Sequence, residues 1–143
     1  MTLGLLLGMI ALLPRPVADQ TCLAATVYME ARSQPTRGQL AVAEVALDRL
    51  DIGHYGNNLC KVVTAPHQFA LTTTSTSFRI DNRKAWNKAW QIAGQAIAIW
   101  NEPTADRKLV VPGANHFIRL GSTATWAKNP IATIGDHEFY AVD

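Results

Sequence analysis

The run Thr26-Val-Tyr-Met-Glu-Ala-Arg32, followed by Gly38-Gln-Leu-Ala-Val-Ala-Glu-Val-Ala-Leu-Asp-Arg49, constrains the fold of this chain more than any other segment. It joins two apolar helical patterns through a Ser-Gln-Pro turn and leaves one carboxylate, Glu30, at the end of the first. In the first pattern, Thr21 to Arg32, residues Leu23, Val27 and Ala31 share a face, with Thr26 and Glu30 on another stripe. In the second, Leu40, Ala43, Leu47 and Leu50 recur at helical spacing, and Ala41, Ala43 and Ala46 allow close approach to the first helix. Thr36-Arg-Gly-Gln39 has the form of a capping box opening that helix. A lone acid held against apolar surface at a helix end can have its pKa raised enough to serve as a general acid near neutrality. The bland alternative is a solvated helix-end residue beside Arg32, which would lower the pKa if it lay close. Glu44, on the second helix, reads as part of a solvated face.

The chain has 143 residues, 48% of them hydrophobic, which suffices for one real core. Charged residues amount to 17% and the net charge is +2, with no Lys/Arg run, so neither a disordered chain nor a nucleic-acid binder is indicated. Four scattered histidines and two cysteines make no recognisable zinc spacing, and no cofactor motif is present. Cys22 and Cys60 read either as a bridge closing a loop of about forty residues, worth roughly 4 kcal/mol by loop entropy, or as two small buried apolar residues.

Residues 1–18 stand apart. Leu3 to Leu13 is an eleven-residue apolar run closed by Pro14-Arg-Pro16, too short to span a bilayer, which takes about twenty apolar residues. Three readings are open: an atypical signal peptide, a weak membrane anchor, or a buried first helix. Since Arg15 is the only charge before Asp19, export or membrane association is favoured, with residues 19–143 as a single domain.

Further along, Asp51 to Asn58 is turn chemistry, Leu59 to Val63 a short apolar segment, and Thr72 to Ser77 a polar, flexible loop. Asp81 is expected to cap a helix from Asn82 to about Asn101. On it Trp86, Trp90, Ala93, Ile97 and Trp100 form a stripe that reads as core rather than a sugar platform. Lys108-Leu-Val-Val111, His116 to Leu120 and Glu138 to Val142 are β-prone runs separated by turn residues. Helices first and short strands last predict an α+β domain, with N-terminal helices packed on a small C-terminal antiparallel β region.

Tyr28-Met-Glu-Ala-Arg32, Gly38-Gln39 with Ala41-Val-Ala43, Cys60-Lys-Val-Val63 with Gln68-Phe69, Ala85-Trp86 with Ala89-Trp90, and Ala114-Asn-His116 stand in an order that resembles the SleB-like cell-wall hydrolases, as do Trp126 and Ile134 to Tyr140. That family includes spore-cortex lytic enzymes and phage relatives, and the likeness covers roughly residues 22 to 140. It implies a lysozyme-like cleft and a monomeric enzyme of the cell envelope acting on peptidoglycan glycan strands, exported or released at host lysis as an endolysin. It implies Glu30 as the catalytic residue, with no metal or cofactor, and it favours pairing of Cys22 with Cys60.

With no obvious second carboxylate beside Glu30, the implied chemistry is lytic transglycosylation, in which one glutamate serves as acid and then base and the muramic acid C6 hydroxyl is the nucleophile. Substrate-binding positions carried over by the resemblance are Gln68 and His116 for hydrogen bonds and Trp126 for stacking. His137 reads equally as a structural hydrogen bond, Tyr140 matches a recurrent aromatic position, and Tyr28 could line the cleft or pack in the core. Where the family pattern has Gly-Glu after Glu-Ala-Arg, this chain has Ser33-Gln34, which removes a negative charge near Glu30. Asp48 replaces an Asn, and the aromatic-rich stretch after the histidine is reduced to Phe117-Ile118. Two other readings are a zinc amidase using His116, His137 and a carboxylate, and a non-catalytic wall-binding module with the Trp residues as its platform.

Overall fold

The computed structural model of the chain describes residues 1–143. Six helices precede a small sheet: α1 (Leu3–Ile10), α2 (Arg15–Ala31), α3 (Thr36–Ile52), α4 (Leu59–Val63), α5 (Ala70–Thr73) and α6 (Arg83–Trp100), then β1 (His116–Arg119), β2 (Ala132–Ile134) and β3 (His137–Tyr140). The strands are antiparallel in the order β1-β3-β2. This is the α+β arrangement the sequence predicts.

The core is built on α2, which packs against α1, α3, α4, α5 and α6, and on α3, which is packed by α2, α4, α6 and β1. The alanines and valines of α3 make that crowding feasible: Ala41, Val42, Ala43, Val45 and Ala46 are all fully buried. Gly53 ends the helix in the left-handed conformation (φ 83°) and returns its N–H to the Arg49 carbonyl. On α6 the tryptophan stripe is core, with Trp100 buried and Trp86, Trp90 and Ile97 packed against the cluster.

Several boundaries differ from expectation for local reasons. The first long helix starts at Arg15, not Thr21, because Pro16 falls in the first turn, where its missing N–H breaks no helical bond. No capping box forms at Thr36; Pro35 is the N-cap, and the Gln39 side chain donates instead to the Gln34 carbonyl. Asn82 rather than Asp81 caps α6, accepting from the Ala85 N–H at 3.0 Å. The Thr72 to Ser77 segment is built in: after α5, the Thr76 and Phe78 carbonyls accept the N–H groups of Gly4 and Leu3.

Lys108 to Val111 is not a strand, and Glu44 is not on a solvated face. Glu44 is buried, and its two carboxylate oxygens accept the N–H groups of Val110 and Val111 at 2.9 Å each. A side chain thus does for this segment what a neighbouring strand would do. The third strand is Ala132–Ile134 instead.

The apolar amino terminus forms α1, with Leu3, Leu6 and Ile10 in the core and Leu5, Met9 and Leu12 exposed. No helix is long and apolar enough to cross a membrane. Cys22 and Cys60 form a disulfide with Cα atoms 5.2 Å apart, tying α2 to α4 and leaving no free cysteine.

Candidate active site

Glu30 lies on the last turn of α2. It opens onto a cleft of about 570 Å³ whose walls come from the end of α3, the α4–α5 connection, β1 and β3. Among the lining residues it supplies the only carboxylate. Its Oε2 accepts the backbone N–H of Ala70 at 3.4 Å. Burial pushes its pKa above the usual carboxylate value, against the opposing effects of the Ala70 hydrogen bond and the charges of Arg119 and Arg49.

Arg32, the neighbour in sequence, turns away. It donates to the Tyr28 carbonyl at 3.1 Å and stacks over Tyr28 and Phe78. The arginine placed beside the cleft by the fold is Arg49, only 4% exposed. Its Nε–H donates to the Asn115 carbonyl at 2.8 Å and its Nη1–H to Gln68 Oε1 at 3.3 Å. Its guanidinium lies 4.7 Å from the Phe69 ring centroid and 5.0 Å from that of Tyr55. Arg49 therefore fixes Gln68 and the Asn115 turn together, as part of the cleft wall.

The predicted site residues divide into three groups. Glu30, Gln68 and His137 meet in the cleft. His116 lines an adjoining pocket of about 330 Å³ that shares Arg49 with the cleft. Its ring is 4.7 Å from Trp126, which in turn meets Tyr140 edge-on at 5.4 Å. This aromatic group lies on the other face of the β1–β3 ladder, so Trp126 and Tyr140 do not line the Glu30 cleft. The register explains the split: His116 opposes Tyr140, whereas Arg119 opposes His137, and adjacent residues of a strand face opposite ways. Tyr28 makes the third group. It is 2% exposed, packed against Trp86, with its hydroxyl accepting the Asn82 N–H. Two residues along a helix is about 200° of rotation, so it points into the core while Glu30 faces the cleft.

His137 is buried and its Nδ1 has no hydrogen-bond partner. Burial, reinforced by Arg119 and opposed by Asp136, lowers its pKa, so the ring is neutral at pH 7. Since His116 and His137 occupy opposite faces, they cannot share an ion, and no three His, Cys, Asp or Glu side chains gather anywhere in the fold. The residues do not fit the zinc site that the amidase reading requires.

Gln34 is far from being a lost charge beside Glu30. Its Oε1 accepts the Asp136 N–H at 2.9 Å and its Nε2 donates to Asp136 Oδ2 at 3.0 Å, clasping the β2–β3 turn. A glutamate here would face the Asp136 carboxylate without a proton to donate.

Sequence reasoning missed Arg49, Arg119 and His67 as cleft residues. A signal existed for Arg49, which falls in register with the buried Val42 and Val45 at spacings of three and four. Arg119 and His67 carry no comparable pattern.

The chain is 27% identical to a spore cortex-lytic enzyme of Bacillus cereus over 127 residues, covering 85% of this chain and 43% of that protein. It is 28% identical to that of Oceanobacillus iheyensis, covering 85% and 41%. It thus spans less than half the length of these relatives. The crystal structure of the catalytic domain of the Bacillus cereus SleB protein superposes with a TM-score of 0.64 at 27% identity, covering 85% of this chain and 88% of that one. The sequence profile of the cell wall hydrolases matches residues 33–140, beginning three residues after Glu30 and taking in the remainder of the cleft. With three-quarters of its length matched in this way, and with the six-helix, three-strand fold in common, the chain belongs to the cell wall hydrolase family of the SleB type.

Proposed function

We propose that the chain cleaves the glycosidic bond between N-acetylmuramic acid and N-acetylglucosamine in peptidoglycan, as a lytic transglycosylase with Glu30 as its acid and base. The observation that carries this reading is the single, half-buried carboxylate of the cleft, with a pKa raised by desolvation. Protonated Glu30 delivers its proton to the bridging oxygen as the C1–O bond breaks. The C6 hydroxyl of the same muramic acid attacks C1, and the Glu30 carboxylate takes the hydroxyl proton. The products are a 1,6-anhydro-muramic acid end and a free N-acetylglucosamine 4-hydroxyl, and the glutamic acid is restored. A hydrolase would need a second group to activate water, and the cleft offers no second carboxylate.

The surrounding residues position these events. Arg49 holds Gln68 at the cleft wall, and His137, neutral and buried, packs edge-on against Phe117 behind it. Phe69 and Phe117 provide an apolar face that limits water near Glu30. On the same reading the protein acts as a monomer in the cell envelope. That compartment suits the disulfide, and the exposed Leu5 and Met9 of α1, with Leu12 just after it, are where the protein would meet a membrane surface.

The test is identification of the chain ends released from purified peptidoglycan. Anhydro-muramic ends support the proposal. Reducing muramic ends would assign a hydrolase, and free stem peptides released in a chelator-sensitive way would assign an amidase. A wall-binding module would release nothing.

A further inference from the structure

Among the cationic side chains of the cleft, one has no protein partner. Arg49 is committed to Asn115 and Gln68 and is stacked between Tyr55 and Phe69. His137 is neutral and buried. Arg119, at the exposed end of β1 directly opposite His137, makes no salt bridge and no side-chain hydrogen bond; the two ion pairs of the fold are Arg15–Asp19 and Arg107–Asp51. The one anionic group of the cleft, Glu30, must be protonated to act as an acid. In its working state the cleft therefore contains two guanidinium groups and no negative charge, although one of them is free to take a ligand.

We propose that Arg119 receives a carboxylate of the substrate, borne on the muramic acid whose C1 reacts, and that this contact selects acidic over neutral glycan. The inference rests on the glycan-cleaving reading above. Guanidinium is suited to the task, since its planar fork pairs with carboxylate through two parallel hydrogen bonds. The muramic acid side arm leaves the sugar at C3, two ring bonds from the reacting carbon, so a group beside Glu30 is within reach of it. The carboxylate has two sources of the same chemistry: the lactyl group of a muramic acid without its peptide, or an acidic residue of an attached stem peptide.

A consequence for catalysis follows from charge. The groups bearing on the cleft are Arg49 of α3, Arg119 of β1, His137 of β3 and His67 of the α4–α5 connection, with the Ala70 N–H. Arg119 is the foremost charge opposing the raised pKa of Glu30. A substrate carboxylate that neutralises Arg119 removes that opposition, so binding an acidic glycan strengthens the hold of Glu30 on its proton. An uncharged glycan does not.

The experiment uses the Glu30→Gln chain, which leaves substrate intact, and compares it with the Glu30→Gln, Arg119→Gln double variant by calorimetry. Three muramic-containing oligomers of equal length serve as probes: one with stem peptides, one stripped to lactyl carboxylates, and the stripped one converted to lactyl amides. Loss of Arg119 is expected to weaken binding of at least one acidic oligomer about tenfold and to leave the amide oligomer unchanged. Which acidic oligomer responds identifies the source, and Arg119→Lys should restore part of the affinity. Equal weakening of all three, or of none, overturns the proposal. With Glu30 present, the alkaline limb of kcat should lie above that of kcat/KM on acidic substrate, and the gap should close in Arg119→Gln. A wild-type digest scored in parallel for anhydro ends keeps the two readings apart: its failure removes the cleavage reading without altering the carboxylate-dependent binding.

Discussion

The Ala70 N–H donates to Glu30 Oε2 across the cleft at 3.4 Å, joining the last turn of α2 to the first residue of α5. One wall of the cleft is thereby registered on the catalytic candidate itself. The same wall is anchored from behind, because the Cys22–Cys60 bridge ties α4 to α2 and Arg49 holds Gln68.

Burial of Glu30 has a stability consequence of definite sign. Its folded pKa lies above the unfolded value of 4.5, so the folded state binds the proton more tightly. The stabilising share of Glu30 is present in full below pH 4.5 and is lost as pH rises through the folded pKa. Glu30→Gln should accordingly be more stable than wild type at pH 7, by about 1 kcal/mol or some 3 °C in Tm, and the difference should vanish near pH 4. Thermal scans of both proteins at the two pH values check this.

Activity should follow the same group in the opposite sense to a nucleophile. Only protonated Glu30 can deliver a proton, so turnover is expected to fall as pH rises through its raised pKa, with an alkaline limb above the ordinary carboxylate range. A pH–rate profile on purified peptidoglycan at constant ionic strength reads that limb.

Glu44→Ala should cost about 3 kcal/mol, since it leaves the Val110 and Val111 N–H groups without their partners. Glu44→Gln keeps one acceptor and should cost less. Urea unfolding midpoints distinguish the two, with activity per folded molecule expected to be nearly preserved in Gln.

Arg49→Lys keeps a positive charge but loses the planar contact with Phe69 and one of two directed bonds. A fall in kcat of about tenfold to a hundredfold is expected, with KM changed much less, because Gln68 and the Asn115 turn lose their common anchor. A variant with wild-type kcat would show that Arg49 serves only the core.

Reducing the disulfide, or replacing both cysteines by serine, removes a constraint on a loop with ends 38 residues apart. The expected loss is about 4 kcal/mol by loop entropy, seen as a lower unfolding midpoint under reducing conditions.

The helices were legible because their signals are local: apolar spacing on α3 and α6, and the Ser-Gln-Pro break after Arg32. Glu30 was legible as a lone acid ending an apolar pattern, a pattern that by itself favours a solvated helix end; the catalytic reading came from the family resemblance. What escaped depended on partners distant in sequence. Nothing near Glu44 indicates that it satisfies Val110 and Val111, 66 and 67 residues away. Nothing near Gln34 indicates a clasp on Asp136, 102 residues on. Strand register, which separates His116 from His137 and sets Arg119 in the cleft, is fixed only when β1 meets β3.

The central claim is that one carboxylate performs the whole reaction, and its most direct test is mass spectrometry of peptidoglycan digested by wild type and by Glu30→Gln, with binding of each protein to the same material measured alongside. The account predicts anhydro-muropeptides from wild type, none above background from Glu30→Gln, and equal sedimentation of both proteins with the wall. Undiminished anhydro products from Glu30→Gln, or none from either protein, would contradict it.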